Sequence, residues 1–145
     1  MDLKKYYGST FENTKEEVEI LIKTVLSDYV EKKISRVDFI KVLYVLVDKQ
    51  ASTYELLNAK LKNNLDEVVS NIWDAKNIDE MCKIFYIIIS FGLQKSYNKI
   101  KASLNYWKNA DIEVYQYLYG VFMVNGDDIS DPFNSYENYY KKSKE

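Results

Sequence analysis

Histidine is missing from this chain, and cysteine occurs once, at Cys82. Without histidine there is no Ser–His or Cys–His nucleophile pair and no imidazole general base. One thiol cannot form an intramolecular disulfide, and a Cys/His zinc site has nothing to build it from. Arginine is almost as scarce: 19 of the 20 basic residues are Lys, and Arg36 stands alone. Bidentate recognition of phosphates and base edges leans on the guanidinium fork, so this scarcity points away from nucleic-acid readout. The four glycines, at positions 8, 92, 120 and 126, never reach the spacing of a phosphate-cradling loop. Proline occurs once, at Pro132. The longest nearly apolar stretch, Ile84–Leu93, is about half of the roughly 20 residues a membrane span needs. Met1–Tyr7 has no apolar run of the signal-peptide kind. A cytoplasmic protein with no membrane segment is therefore expected, and an unpaired Cys fits a reducing compartment.

The charges that are present balance. The 22 acidic and 20 basic residues leave a net charge of −2, and no segment forms a basic stripe along which a phosphate backbone could run. Lys, Asn, Ile and Tyr are abundant and share A/T-rich codons, so a low-G+C genome, bacterial or viral, produces this composition without selection on the protein. The 14 tyrosines carry that discount.

Few helix breakers and sustained 3.6-residue periodicity predict helices. Thr14-Lys15-Glu16-Glu17 reads as a capping box ahead of Val18, Leu21, Ile22, Val25, Leu26, Tyr29 and Val30, a single apolar stripe. Ser35–Asp38 opens a second helix whose Val37–Val47 stretch is apolar almost all round. Ser52–Glu55, Asn64–Glu67 and Asn77–Glu80 read as three further starts. The last leads into Met81, Cys82, Ile84, Phe85, Ile87, Ile88 and Ile89, a second very apolar helix. Past Gly92 the phase continues through Tyr97, Ile100, Leu104 and Trp107, as one kinked helix or two. Asp111 caps a last helix using Ile112, Tyr115, Leu118, Tyr119, Phe122 and Met123, although Val114–Tyr119 also suits a strand. The expected fold is all-α: one domain over 1–145, a bundle of six or seven helices with two highly apolar central ones. Residues 1–13 form an N-terminal arm, and 125–145 an irregular acidic, Tyr-rich tail.

Carboxylates are the remaining chemical resource. Glu16, Glu17 and Glu19, Asp66-Glu67 and Asp79-Glu80 are the acidic groupings, and each falls where a helix start favours acids electrostatically. All-α nucleotide pyrophosphatases hold Mg²⁺ with a Glu-Glu-x-x-Glu pattern, but here Ile20 stands where the third Glu belongs. The 125–131 loop is rich in oxygen ligands, yet Ile129 interrupts the alternation a Ca²⁺ loop requires, and no Gly stands at its sixth position. Cys82 reads as a buried, inert thiol on an apolar face. No catalytic residue, metal or cofactor is assigned.

Eight of the 14 tyrosines fall between Tyr97 and the C-terminus. Tyr115, Tyr117 and Tyr119 cannot all face one side of a helix, so at least one is exposed. Tyr suits interfaces because its ring adds area and its hydroxyl a hydrogen bond. The expected partner-binding residues are therefore Asp127, Asp128, Asp131, Tyr117, Tyr136, Tyr139 and Tyr140. The partner is expected to be another protein, with homodimerisation compatible. Ser35, the Asp38-Phe39-Ile40 run and the paired tail tyrosines resemble small helical nuclease-immunity proteins over those few residues. That resemblance implies an antitoxin-like protein whose carboxylates and tyrosines block a basic toxin domain. Two alternatives stand beside it: a metal-dependent nucleotide hydrolase using Glu16, Glu17, Asp79 and Glu80, and a viral Bcl-2-like modulator with a peptide groove.

Overall fold

Short polar side chains start most of the helices by taking amides that have no partner within the helix. A computed structural model of the chain describes residues 3–6, 14–53 and 55–132. In it, Thr14 opens α1 (Lys15–Val30) by accepting from the Glu17 N–H. Ser35 accepts from the Asp38 N–H at 3.1 Å at the start of α2 (Arg36–Thr53). Asn58 opens α3 (Ala59–Ile72), and Asn77 opens α4 (Ile78–Phe91). Gly92 ends α4, and α5 (Gln94–Ala102) and α6 (Leu104–Ala110) follow. Asp111 then accepts from the Glu113 and Val114 amides to open α7 (Ile112–Asn125). The described residues are all-helical, seven α-helices and one 3₁₀ turn in a single domain.

Two of the expected starts are displaced. Ser52 and Thr53 end α2 rather than opening a new helix, and Asn64 lies inside α3. The working start is Asn58, whose side chain accepts from the Lys60 and Leu61 amides. Polar residues of the capping type occur within helices too, so a four-residue motif alone does not locate the boundary. Leu57, Leu61, Leu65, Val69 and Ile72 are nonetheless buried, with Val68 and Trp73 partly so.

The core lies where α4 meets α2, α3 and α5, with α1 against α2. Phe39, Leu43 and Leu46 of α2 and Met81, Ile84 and Ile88 of α4 are fully buried there. The two highly apolar helices, α2 and α4, pack on each other as expected, and each keeps an outer side: Val37, Tyr44 and Val45 of α2 and Ile78 and Tyr86 of α4 are exposed. Tyr44 and Tyr86 pack at that surface with their rings tilted by 49°, and the Tyr86 hydroxyl donates to Asp48 at 2.9 Å. The sole Arg is structural. The Arg36 guanidinium donates to the Ile72 carbonyl at the end of α3 and pairs with Glu80 of α4 at 2.5 Å, joining three helices.

The N-terminal arm is also more than irregular chain. Lys4–Tyr6 forms a 3₁₀ turn on α1, and Tyr6 is fully buried. Its hydroxyl donates to Asp28 at 2.7 Å, and Lys5 pairs with the same carboxylate at 3.0 Å. The Tyr6 hydroxyl first, then the Lys5 ammonium, hold Asp28 below the usual carboxylate range.

Gly92 decides between a kink and a break. It sits in the left-handed region with φ 69°, and the chain turns there from α4 into α5. A Cβ at this position would stand 2.7 Å from the Ser130 carbonyl oxygen. The start of α5 has no cap from its own N-terminal residue, Leu93. Asp66, buried on α3, supplies it: its carboxylate accepts the Lys95 N–H at 2.9 Å and the Ser96 N–H at 2.8 Å. The Ser96 hydroxyl adds a bond to the same carboxylate at 2.5 Å.

Three outcomes follow from these contacts. Gly92→Ala should cost about 2–3 kcal/mol in urea unfolding, from left-handed strain together with the clash at Ser130. Asp66→Ala should cost about 2 kcal/mol and speed hydrogen exchange at Lys95 and Ser96; unchanged exchange there would disprove the capping role. Because Asp28 titrates lower when folded, its contribution is present above its ordinary value of 3.8 and is lost as pH falls through the depressed one. Asp28→Asn should therefore lower stability at neutral pH and weaken its decline in acid, as read by urea midpoints across that range.

Candidate protein-binding surface

Helix α7 is apolar on nearly every side, and the bundle covers only part of it. Val114, Leu118 and Phe122 point inward and are buried. Phe122 meets Phe85 and Tyr97 edge-on, with ring centroids 6.0 and 5.0 Å away. The other side carries Ile112, Tyr119, Met123 and Val124, and Met123 and Val124 are 67% and 85% exposed. Ile112, Tyr119 and Met123 follow at i, i+7 and i+11, so they line one outward stripe. Tyr115 stacks on Tyr119 at 5.9 Å within it. Sequence reading placed Ile112, Tyr119 and Met123 inward; the structure turns them out. In a helix apolar all round, periodicity cannot tell the covered side from the open one.

Tyr117, an expected partner-binding residue, is half-buried and lies against the core. Its ring meets Phe85 edge-on at 6.0 Å. Burial first, then a bond to Cys82, raise its phenol above the ordinary range. Of the three closely spaced tyrosines, Tyr119 is the exposed one. The expectation for Cys82 is also overturned: the thiol is exposed. On α4, Met81, Ile84, Phe85 and Ile88 fill the inward arc, and position 82 falls outside it.

The acidic loop after α7 is held to the bundle from several sides. The Tyr97 hydroxyl donates to the Gly126 carbonyl at 2.5 Å. Gln94 donates to the Asp127 carbonyl at 2.8 Å and accepts the Ile129 N–H at 2.8 Å. Lys62 donates to the Ser130 carbonyl at 2.7 Å. Ile129, which interrupts the oxygen-ligand pattern, is buried as an anchor. Asp127 pairs with Lys101 while its side chain stays 90% exposed. Asp128 accepts the Ser130 N–H at 2.9 Å and the Ser130 hydroxyl at 2.6 Å, and these bonds lower its pKa, the hydroxyl most. Asp131 is exposed. Three carboxylates thus stand on a fixed loop at the end of α7. Tyr136, Tyr139 and Tyr140 lie outside the described residues.

The other acidic groupings do different work. Glu19 accepts the Asn58 N–H at 2.8 Å, Glu67 pairs with Lys95, and Glu80 pairs with Arg36. Among the described residues, no three acidic or cysteine side chains come together where they could hold a metal ion. None of their helices is long and apolar enough to cross a membrane.

Comparison with known protein families, with curated proteins and with solved structures gives no match.

The exposure of Cys82 has a direct readout. The folded protein should titrate one thiol with a disulfide reagent in native buffer, at a rate within about tenfold of the urea-unfolded chain. A thiol that reacts only after unfolding would contradict this placement.

Proposed function

We propose that this chain is a non-enzymatic protein-binding domain, and that the outer side of α7 with the following acidic loop is its binding surface. The observation that carries the reading is Met123 and Val124, 67% and 85% exposed, on a helix whose outward side bears one charged residue, Glu113. Contiguous apolar surface bordered by polar groups is the composition of protein interfaces, with an apolar centre and a charged rim. Here Ile112, Tyr119 and Met123 supply the centre, and Asp127, Asp128 and Asp131 the rim. The carboxylates favour a partner with a basic patch beside an apolar one. The most concrete form is a cytoplasmic immunity or antitoxin protein that blocks a basic toxin domain.

The reading is tested with the product of the adjacent gene as candidate toxin. Co-expression should protect cells, and the purified proteins should form a complex. Tyr119→Ser with Met123→Ser should weaken binding by about 30-fold or more, the effect of removing an interface centre. Asp127→Asn, Asp128→Asn and Asp131→Asn together should slow association and reduce its salt dependence. Melting temperatures of both variants check that the fold persists. Full binding by both would remove this surface from the function.

A further inference from the structure

Helix α2 turns one continuous side outward. Val37, Lys41, Tyr44, Val45, Asp48 and Ser52 are exposed along it. They stand at i, i+4, i+7, i+8, i+11 and i+15, which share one arc of the helix over a length of about 22 Å. Tyr86 of α4 widens this side, with its ring against Tyr44 and its hydroxyl donating to Asp48 at 2.9 Å. The α7 surface is a different one. Phe85 of α4 meets Tyr117 and Phe122 of α7, while Tyr86, the next residue, is turned to α2. We propose that the outer side of α2 docks on the same side of a second copy of this chain, antiparallel about a two-fold axis between Tyr44 and Val45.

The order of charges along the stripe selects this occupant. Lys41 stands three residues before Tyr44, and Asp48 three residues after Val45. Each therefore lies about 5 Å along the helix from the midpoint, on opposite sides of it. A two-fold axis at that midpoint reverses the stripe, so Lys41 of one copy faces Asp48 of the other, and Tyr44 faces Val45. Both charges of each copy meet an opposite charge, and the Tyr44 ring lies on an apolar side chain. Val37 falls opposite Ser52 at each end. Among the described residues, Lys41 forms no ion pair. The Tyr86 hydroxyl takes Oδ1 of Asp48, which leaves Oδ2 for a further donor. Lys41 of the second copy thus arrives at a carboxylate with an aromatic ring beside it. Helix axes about 8–10 Å apart put that carboxylate within reach of a lysine. A partner charged with one sign, such as the basic one proposed for the α7 surface, would set a like charge against Lys41 or Asp48. Two helix sides of this size bury on the order of 1,000 Å² in all, at the low end of specific interfaces. Association in the micromolar range, roughly 10 µM, is expected.

The experiment is sedimentation velocity on the full chain from about 2 to about 500 µM. The mass should rise from 17.1 kDa toward twice that value. Lys41→Glu and Asp48→Lys, each alone, put two like-charge contacts into the dimer and should weaken association about tenfold or more. An equimolar mixture of the two variants should recover it, because each chain then carries the charges that the other lacks. Both positions are exposed, and melting temperatures check that the variants fold. Tyr119→Ser with Met123→Ser should leave association unchanged, which separates this result from the fate of the α7 reading. A monomer at every concentration would overturn the proposal, as would a mixture no tighter than either variant alone. Association lost in the Tyr119 and Met123 double variant would assign the dimer to α7 and overturn it as well.

Discussion

The Asp66 carboxylate is the interaction on which the C-terminal half of the bundle depends. Removing a carboxylate from water is costly unless hydrogen bonds replace the lost hydration. Here the Lys95 and Ser96 amides and the Ser96 hydroxyl replace it. Those amides would otherwise be left without partners at the start of α5, because Leu93 offers no capping side chain. One charge on α3 thereby satisfies the beginning of another helix, and the direction of α5 is set. Tyr97, one residue beyond, is then placed to meet Phe122 and to hold Gly126. The loop after α7 is thereby tied to α5 through Tyr97 and Gln94, while α7 itself packs chiefly against α6.

Gly92 makes this arrangement accessible. Its left-handed turn lets α5 leave α4 at once, and its missing side chain leaves room for the Ser130 carbonyl. The acidic loop is accordingly no loose appendage. It is pinned by Gln94, Lys62, Tyr97 and the buried Ile129, so its carboxylates keep fixed positions next to the exposed side of α7. Such fixed placement reduces the ordering cost of binding a partner.

The parts that sequence reading captured are those ruled by local physics. Thr14, Ser35, Asn77 and Asp111 cap helices as their spacing predicts, since a cap needs only amides two or three residues away. The inward residues of α1 follow from Val18 to Tyr29, because polar residues cover most of the rest of the helix and leave one way to face it; Val30, the last of the expected stripe, is exposed at the helix end. The misses share a different cause. Cys82, Tyr117, Tyr119 and Met123 lie on helices rich in apolar residues, where several orientations satisfy the pattern equally. Asp66 read as part of a helix start; in fact it caps a different helix, 29 residues along the chain. Lys5 and Tyr6 carried no visible sign of the bond to Asp28.

The amino-acid sequence alone determined that the chain is helical, one domain long, and without histidine or a second cysteine for imidazole or disulfide chemistry. Those properties rest on side-chain identity and short-range periodicity. Tertiary structure alone decided which sides of α2 and α7 stay open, and that Asp66 and Arg36 join helices distant in sequence. These outcomes depend on which neighbours compete for each apolar side, and that competition exists only once the helices have packed.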